Sequence, residues 1–231
     1  VLTNDIYINK VSGTTFETTY NWFHSNTETN NFKGTFDGCG YVIYGLYFNS
    51  TLSQRSGLFP NLGTGAVIKN VGIDDAYINV GSKGNGSAAG AIAAWFDNGV
   101  TAPYPVISGC YVGENVSIIS SSNGTAYSRA GGILGRATNG GVTITDCYVK
   151  GNVMATNSNT ATAASQGAII GAVEKGARDN TNIINCYTTG SLEASQGASH
   201  NVTNFYNNAT AATVFEGFDF VNVWQAVEGG T

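Results

Sequence analysis

Charge is what this 231-residue chain has least of. Only 11% of its residues are charged, against about a quarter in an ordinary soluble protein. Ten basic and fifteen acidic side chains give a formal net charge of −5. The basic residues are spread along the sequence, so there is no electrostatic footprint for nucleic acid or an anionic membrane, and both partners are excluded. Long apolar runs are also missing. The longest candidate, AAGAIAAWF at 88–96, is far short of the roughly 20 residues a membrane span needs. Two histidines and four cysteines offer no convergent Cys/His set, so no metal site is assigned. Nucleophile-elbow, zincin and phosphate-loop phrases are absent. No convincing 3.6-residue period marks a helix. The chain begins VLTNDIYIN, which reads as a mature or excised segment.

What the sequence does have is Gly, Asn, Thr and Ser, a surface chemistry common outside the cell, and a repeat. SGCYVGENV at 108–116 returns as TDCYVKGNV at 145–153 and as INCYTTGSL at 184–192, with weaker forms at KNVGI (69–73) and TNFYN (203–207). A second phrase precedes each: SGLFPNL from Ser56, AGAIAAW from Ala89, GGILGRA from Gly131 and QGAIIGA from Gln166. A third follows: YINV at 77–80, NVSII at 115–119, NVMA at 152–155 and SLEA at 191–194. Phrases recurring in fixed order mark a repeat architecture. Each phrase is short and apolar with period-2 alternation, bounded by Gly, Asn and Asp, which is strand chemistry. Three short strands per repeat, stacked coil on coil, predict an all-β, right-handed parallel β-helix.

Strict alternation through VTITDCYV would bury Asp146 beside Ile144, unless the chain bends between them. The aligned positions are Asn70, Gly109, Asp146, Asn185 and Asn204, the residue types that best tolerate a left-handed backbone. One recurrent corner per coil is therefore predicted. The next residue in each coil, Cys110, Cys147 and Cys186 with Val71 and Phe205, then points inward, where an unpaired cysteine serves as a small hydrophobe. These are expected to be thiols, because in-register parallel neighbours point their side chains the same way.

The acids Asp74 and Asp75 fall near Glu114 of the next coil and Lys150 of the one after, the one stacked charged patch the repeat builds. Solvated turn charges explain it, as does a cation or sugar site; calcium is the one cofactor it would take. Arg136 and Glu174 lie in adjacent coils and read as a surface ion pair. Tyr111, Tyr148 and Tyr187 project outward as a ladder on which sugar faces could stack, although tyrosine also simply favours strands. Trp95 and Tyr104 stand at an inserted loop as an exposed ligand contact. Tyr20, Trp22 and Phe23 are expected to cap the open end of the solenoid.

The stretches LTNDIYIN, FKGTFDGCGYVIYGLYF (32–48) and SGLFPNLGTGAVIKNVGI (56–73), followed by GGILG, ITDCYVKGNV, QGAIIG and INCYTTGSL, resemble GLUG-type repeat domains. In these, a GTFDGNGHTI-like opening leads into GGIVG and NCYNTG repeats. The closing FDFVNVW resembles their exit strand; Cys39 and the long loop insertions depart from the pattern. The resemblance implies a β-helix from a large bacterial surface or secreted protein, such as the adhesin-like proteins and the stalks of immunoglobulin A peptidases. It supplies no catalytic motif.

The expected organisation is one domain over 1–231: a cap and entry coil at 1–55, coils at 56–207 and an exit strand at 208–231, with flanking domains on the same polypeptide. Two functions follow. One is a noncatalytic module on the bacterial surface or secreted, acting in adhesion, as a stalk or in presenting a surface to a host or bacterial glycan or protein. The other is a polysaccharide-acting lyase or glycoside hydrolase on the same fold, using Asp74, Asp75 and Glu114.

Overall fold

The computed structural model describes residues 1–22, 31–52, 54–82, 86–96, 102–123, 125–158, 164–174, 177, 180–191 and 199–202. Asn204, Phe205, Phe23 and the exit strand at 208–231 lie outside them. Among the described residues there is no α-helix. All strand pairings are parallel except one two-residue hairpin, Val11–Ser12 with Thr15–Phe16. The chain returns to each sheet once per turn, which makes it a parallel β-helix of about four coils.

The three apolar stretches of each coil are present, and two of them bend in the middle, so a coil carries five short strands. Column one stacks Thr35–Asp37, Val67–Lys69, Val106–Ser108, Val142–Thr145 and Thr181–Ile184. Column two stacks Ile6–Tyr7, Val42–Tyr44, Gly72–Asp74, Tyr111–Val112, Tyr148–Val149 and Tyr187–Thr188. Column three holds Tyr47–Ser50, Tyr77–Ser82, Ser117–Ser122 and Asn152–Asn157. Column four holds Arg55–Ser56, Ser87–Gly90, Ser128–Gly131, Ala164–Gly167 and Ser199–Val202, and column five Phe59–Leu62, Ala93–Phe96 and Leu134–Ala137, extended by bridges to Ile170 and Val173.

The bend between columns one and two is the recurrent corner. Asn70, Gly109, Asp146 and Asn185 take φ of 53°, 59°, 54° and 51°, a region that costs most L-residues roughly 1–2 kcal/mol and is open to Gly, Asn and Asp. The corner side chains also stack. Asn185 Nδ2 donates to Asp146 Oδ1 at 3.2 Å, and a Cβ at Gly109 would meet Asn70 Oδ1 at 2.7 Å. A second corner follows column two, where Asp75 takes φ 49° and Gly45 73°.

In-register pairing aligns identical needs, so the core is built of ladders. Column one contributes Phe36, Ile68, Ile107, Ile144 and Ile183, of which the central three are fully buried. Column three adds Phe48, Ile78, Ile118 and Val153, each buried. Each such side chain contributes about 1.5–3 kcal/mol through burial. After the first corner come Val71, Cys110, Cys147 and Cys186, exposed by 3% or less. All four cysteines are free, Cys39 alone being exposed. Polar groups at the turn into column four are satisfied: Ser87 and Ser120 hydroxyls meet at 2.9 Å, and Gln166 Oε1 accepts from the Ala155 amide at 2.9 Å.

The first coil has an uncovered edge, which would leave backbone groups unpaired. Residues 1–22 cover it. The amides of Leu2, Ile8 and Trp22 donate to the carbonyls of Asp37, Tyr44 and Tyr47 at 2.9, 2.9 and 2.7 Å, and Asp5 Oδ1 takes the Val42 amide at 2.8 Å. Trp22 packs on the core and its Nε1 donates to Leu58 O at 3.2 Å. Tyr20 does not share this role: it is 72% exposed, while its backbone amide and carbonyl are held by Asn9.

Candidate ligand-binding surface

The tyrosines of column two form a continuous stack. Tyr111 and Tyr148 lie 5.1 Å apart with ring planes 6° from parallel, and Tyr148 and Tyr187 lie 5.6 Å apart at 23°. Each ring face between coils is thus covered by the next ring, and the far face of Tyr111 rests on Gly72, where a Cβ would come within 2.3 Å of Cζ. The ladder presents ring edges and hydroxyls, and it leaves no open face between these residues for a sugar to stack on. Burial, with the neighbouring Tyr148, pushes the Tyr111 hydroxyl up.

The structure does bring Asp74, Asp75 and Glu114 near one another, at the end of the same column. Burial pushes the Asp74 carboxyl up, and the charges of Asp75 and Glu114 add to this against the hydrogen bond from the Asp75 amide. Both aspartates are committed to local turns. Asp74 Oδ1 accepts the Asp75 amide at 2.9 Å, and Asp75 Oδ1 accepts Asn115 Nδ2 at 3.1 Å. Asp74 also lies against Gly113, whose Cβ would meet its carboxyl carbon at 2.2 Å. Among the described residues no ion pair ties Lys150 to these acids. A hollow of about 380 Å³ opens nearby, lined by Asp75, Tyr44, Tyr7 and the cap segment from Ile8 to Val11. Neither Asp74 nor Glu114 lines it. Among the described residues no three His, Cys, Asp or Glu side chains group as metal ligands.

Column three has a different chemistry. Its outward positions stack as Tyr47, Tyr77, Ser117 and Asn152; then Asn49, Asn79, Ile119 and Met154; then Gly81, Ser121 and Thr156. None is charged. Tyr47 and Tyr77 stack 5.7 Å apart, and Asn79 Nδ2 donates to Asn49 Oδ1 at 3.1 Å. At the far end of the strands, beside Gly81, a groove of about 600 Å³ crosses all four coils, from Thr51 through Ser121 and Asn123 to Thr156 and Ser158. Among the described residues its lining is hydroxyl, amide and glycine. Sequence reading passed over this surface; its signal was the run of Ser, Thr and Asn after each third phrase, which looks like loop.

Trp95 is not the exposed contact expected at its loop. It is 8% exposed, while Tyr104 packs against the main core instead. Trp95 points outward, yet the outer faces of columns four and five meet in a re-entrant angle. All residues of Ser87–Gly90 and Ala93–Phe96 are buried, and Ala88, Ala94 and Trp95 form a small cluster apart from the core. Arginines from the coil on either side cover the indole, Arg55 at 3.7 Å and Arg136 at 3.8 Å from the ring centroid. Glu174 accepts from both Arg129 and Arg136, at 2.6 and 2.7 Å. Burial alone would raise its carboxyl; the Arg136 hydrogen bond and charge, joined by Arg129, outweigh that and hold it low. The Arg136–Glu174 pair was readable from the repeat. The participation of Arg129 and the burial of the whole group were not.

No family model matches the chain, and neither does any curated protein or any solved structure.

Proposed function

We propose that the chain is a noncatalytic β-solenoid module of a bacterial cell-surface or secreted protein, and that it holds a neutral glycan along column three. The observation that carries this reading is the groove running from Thr51 to Ser158, whose lining among the described residues is hydroxyl and amide and carries no charge. A polyhydroxylated, uncharged ligand is matched by such groups, because each sugar hydroxyl both donates and accepts, as do Ser, Thr and Asn. Groups repeated on every coil suit a ligand that is itself a repeating chain. The low charge of the sequence and the resemblance of its phrases to GLUG-type domains favour the extracellular setting.

The test is an array of neutral oligosaccharides probed with the purified chain, with hits titrated against wild type and Ser121→Arg. Binding is expected, with a loss of at least about tenfold, or 1.4 kcal/mol, in S121R at unchanged thermal stability. Absence of binding to every neutral glycan, or binding indifferent to S121R, overturns the reading.

One observation favours a second reading, a polysaccharide-acting enzyme: the raised carboxyl of Asp74 is the state a general acid requires. Glycoside hydrolysis by that route needs Asp75 or Glu114 as its partner across a bound sugar. Glycan turnover by the purified chain, lost in Asp74→Ala and Glu114→Ala, supports it; turnover that is absent, or unchanged in both variants, ends it.

A further inference from the structure

Three of the four arginines in the chain, Arg55, Arg129 and Arg136, lie on columns four and five. Two of them meet at one atom. Arg129 Nη2 donates to Glu174 Oε1 at 2.6 Å, and Arg136 donates to the same oxygen through Nε at 2.8 Å and lies at 2.7 Å through Nη2. A carboxylate offers about four lone-pair sites and each guanidinium five donors, so this arrangement leaves donors in excess. Trp95, beneath Arg136, adds another: its Nε1 is buried and has no acceptor. A buried donor without a partner is costly. Asn61 Nδ2 and, one coil above beside the Phe32–Leu62 bridge, Asn31 Oδ1 are also buried without a partner.

Two guanidiniums held side by side repel each other. Burial, followed by the charge of Arg136, draws the Arg129 guanidinium down to about 10, and Glu174, the one carboxylate paired with them among the described residues, neutralises only half of the pair. The clamp is rigid on three sides: Arg129 and Arg136 are set by in-register strands, and the indole under Arg136 is nine-tenths buried. Its fourth side is Glu174, the most exposed member, with its side chain 33% exposed. Its backbone is anchored by hydrogen bonds to Ala137 and Ala177, so the side chain can swing out while the chain stays in place.

We propose that Arg129 and Arg136, the latter over Trp95, form an oxyanion clamp for the carboxylate or sulfate ester of an acidic ligand, and that Glu174 is its displaceable internal stand-in. Forked guanidinium donors fit planar carboxylates and the oxygens of sulfate in the same way. Both faces of the indole carry an arginine, so the clamp recognises the charged group and not a sugar ring. The site lies on columns four and five and is independent of the neutral groove on column three.

The experiment titrates wild type, Glu174→Gln and the double variant E174Q/R136Q with glucuronate, glucose and inorganic sulfate at constant ionic strength, following the Trp indole N–H signals by NMR. Removing the stand-in should tighten glucuronate and sulfate binding by about tenfold relative to wild type, glucose should leave the Trp95 indole signal unmoved, and R136Q should abolish the gain. Glucuronate without sulfate would place the ligand among carboxylates, and the reverse among sulfate esters. The clamp is overturned if E174Q binds neither anion, or if it binds them equally well without Arg136. Should E174Q fail to fold, wild type decides: its thermal midpoint should rise with glucuronate over matched sodium chloride, and no rise overturns the proposal.

Discussion

Tyr111 lies across Gly72, so closely that a Cβ at residue 72 would stand 2.3 Å from its Cζ and 2.7 Å from its hydroxyl. The ring has no room to lift, because Tyr148 is stacked 5.1 Å away on its other face. Gly72→Ala should therefore destabilise the protein by about 1–3 kcal/mol, the usual cost of overpacking a well-filled site. Tyr111→Ser in the same background should restore part of the loss. Urea unfolding of the double-mutant cycle measures the coupling. An alanine tolerated at 72 with Tyr111 intact would show that the ring does not rest there.

The corner gives a second prediction, in which two substitutions at one residue separate backbone from side chain. Asp146 takes φ 54° and its carboxylate accepts from Asn185 and Thr145. Asp146→Gly and Asp146→Ala both lose those hydrogen bonds; only alanine also bears the left-handed penalty. Glycine gives back part of this advantage through its greater freedom when unfolded, so the alanine variant should be the less stable by about 0.5–1 kcal/mol. Equal unfolding midpoints would mean the corner is not strained for an L-residue.

The corner and the cysteine column were readable because each coil poses the same local problem and answers it with the same kind of residue. Asn70, Gly109, Asp146 and Asn185 share one backbone requirement, and three thiols share one inward position. The number of strands per coil was less readable: a bend inside an apolar phrase, as at Ala91–Ile92, leaves no polar residue to mark it. Alternation also says which side of a strand a residue takes, but not whether that side is convex or folded back on itself. That is why Trp95 read as an exposed contact and is instead buried between two arginines. The signal that could have found the notch is compositional: Arg55 and Arg129 take aligned positions, through Ala88, in a chain with only four arginines. The tyrosine ladder shows the same limit. Tyr111, Tyr148 and Tyr187 point outward, but in-register stacking turns their faces to one another.

Thiol chemistry follows from burial. Cys110, Cys147 and Cys186 are exposed by 1%, 0% and 3%, and burial pushes the Cys147 thiol up, away from the reactive thiolate. Cys39 is exposed on its turn. An aromatic disulfide reagent should titrate one thiol of the four in native protein at pH 8, none in Cys39→Ser, and the full set after denaturation. Fast reaction of a second thiol in the native state would contradict the inward column.

Asp74 makes stability depend on pH, and the sign follows from its surroundings. Its folded carboxyl is raised above the ordinary value of 3.8 by burial, with Asp75 and Glu114 adding to it, so ionising it is less favourable in the folded chain than in the unfolded one. The penalty is therefore fully present above the folded value and is relieved as the pH falls through it toward the unfolded value. Asp74→Asn keeps an oxygen for the Asp75 amide and carries no charge. It should unfold at a higher temperature than wild type at pH 7, and the gap should close on acidification toward pH 4. Thermal melts of the two proteins across that range measure it. A gap that is constant with pH would show that the charge of Asp74 is not what the fold resists, and a variant less stable than wild type at pH 7 would mean that the ionised carboxylate is itself needed to hold the turn over Gly113.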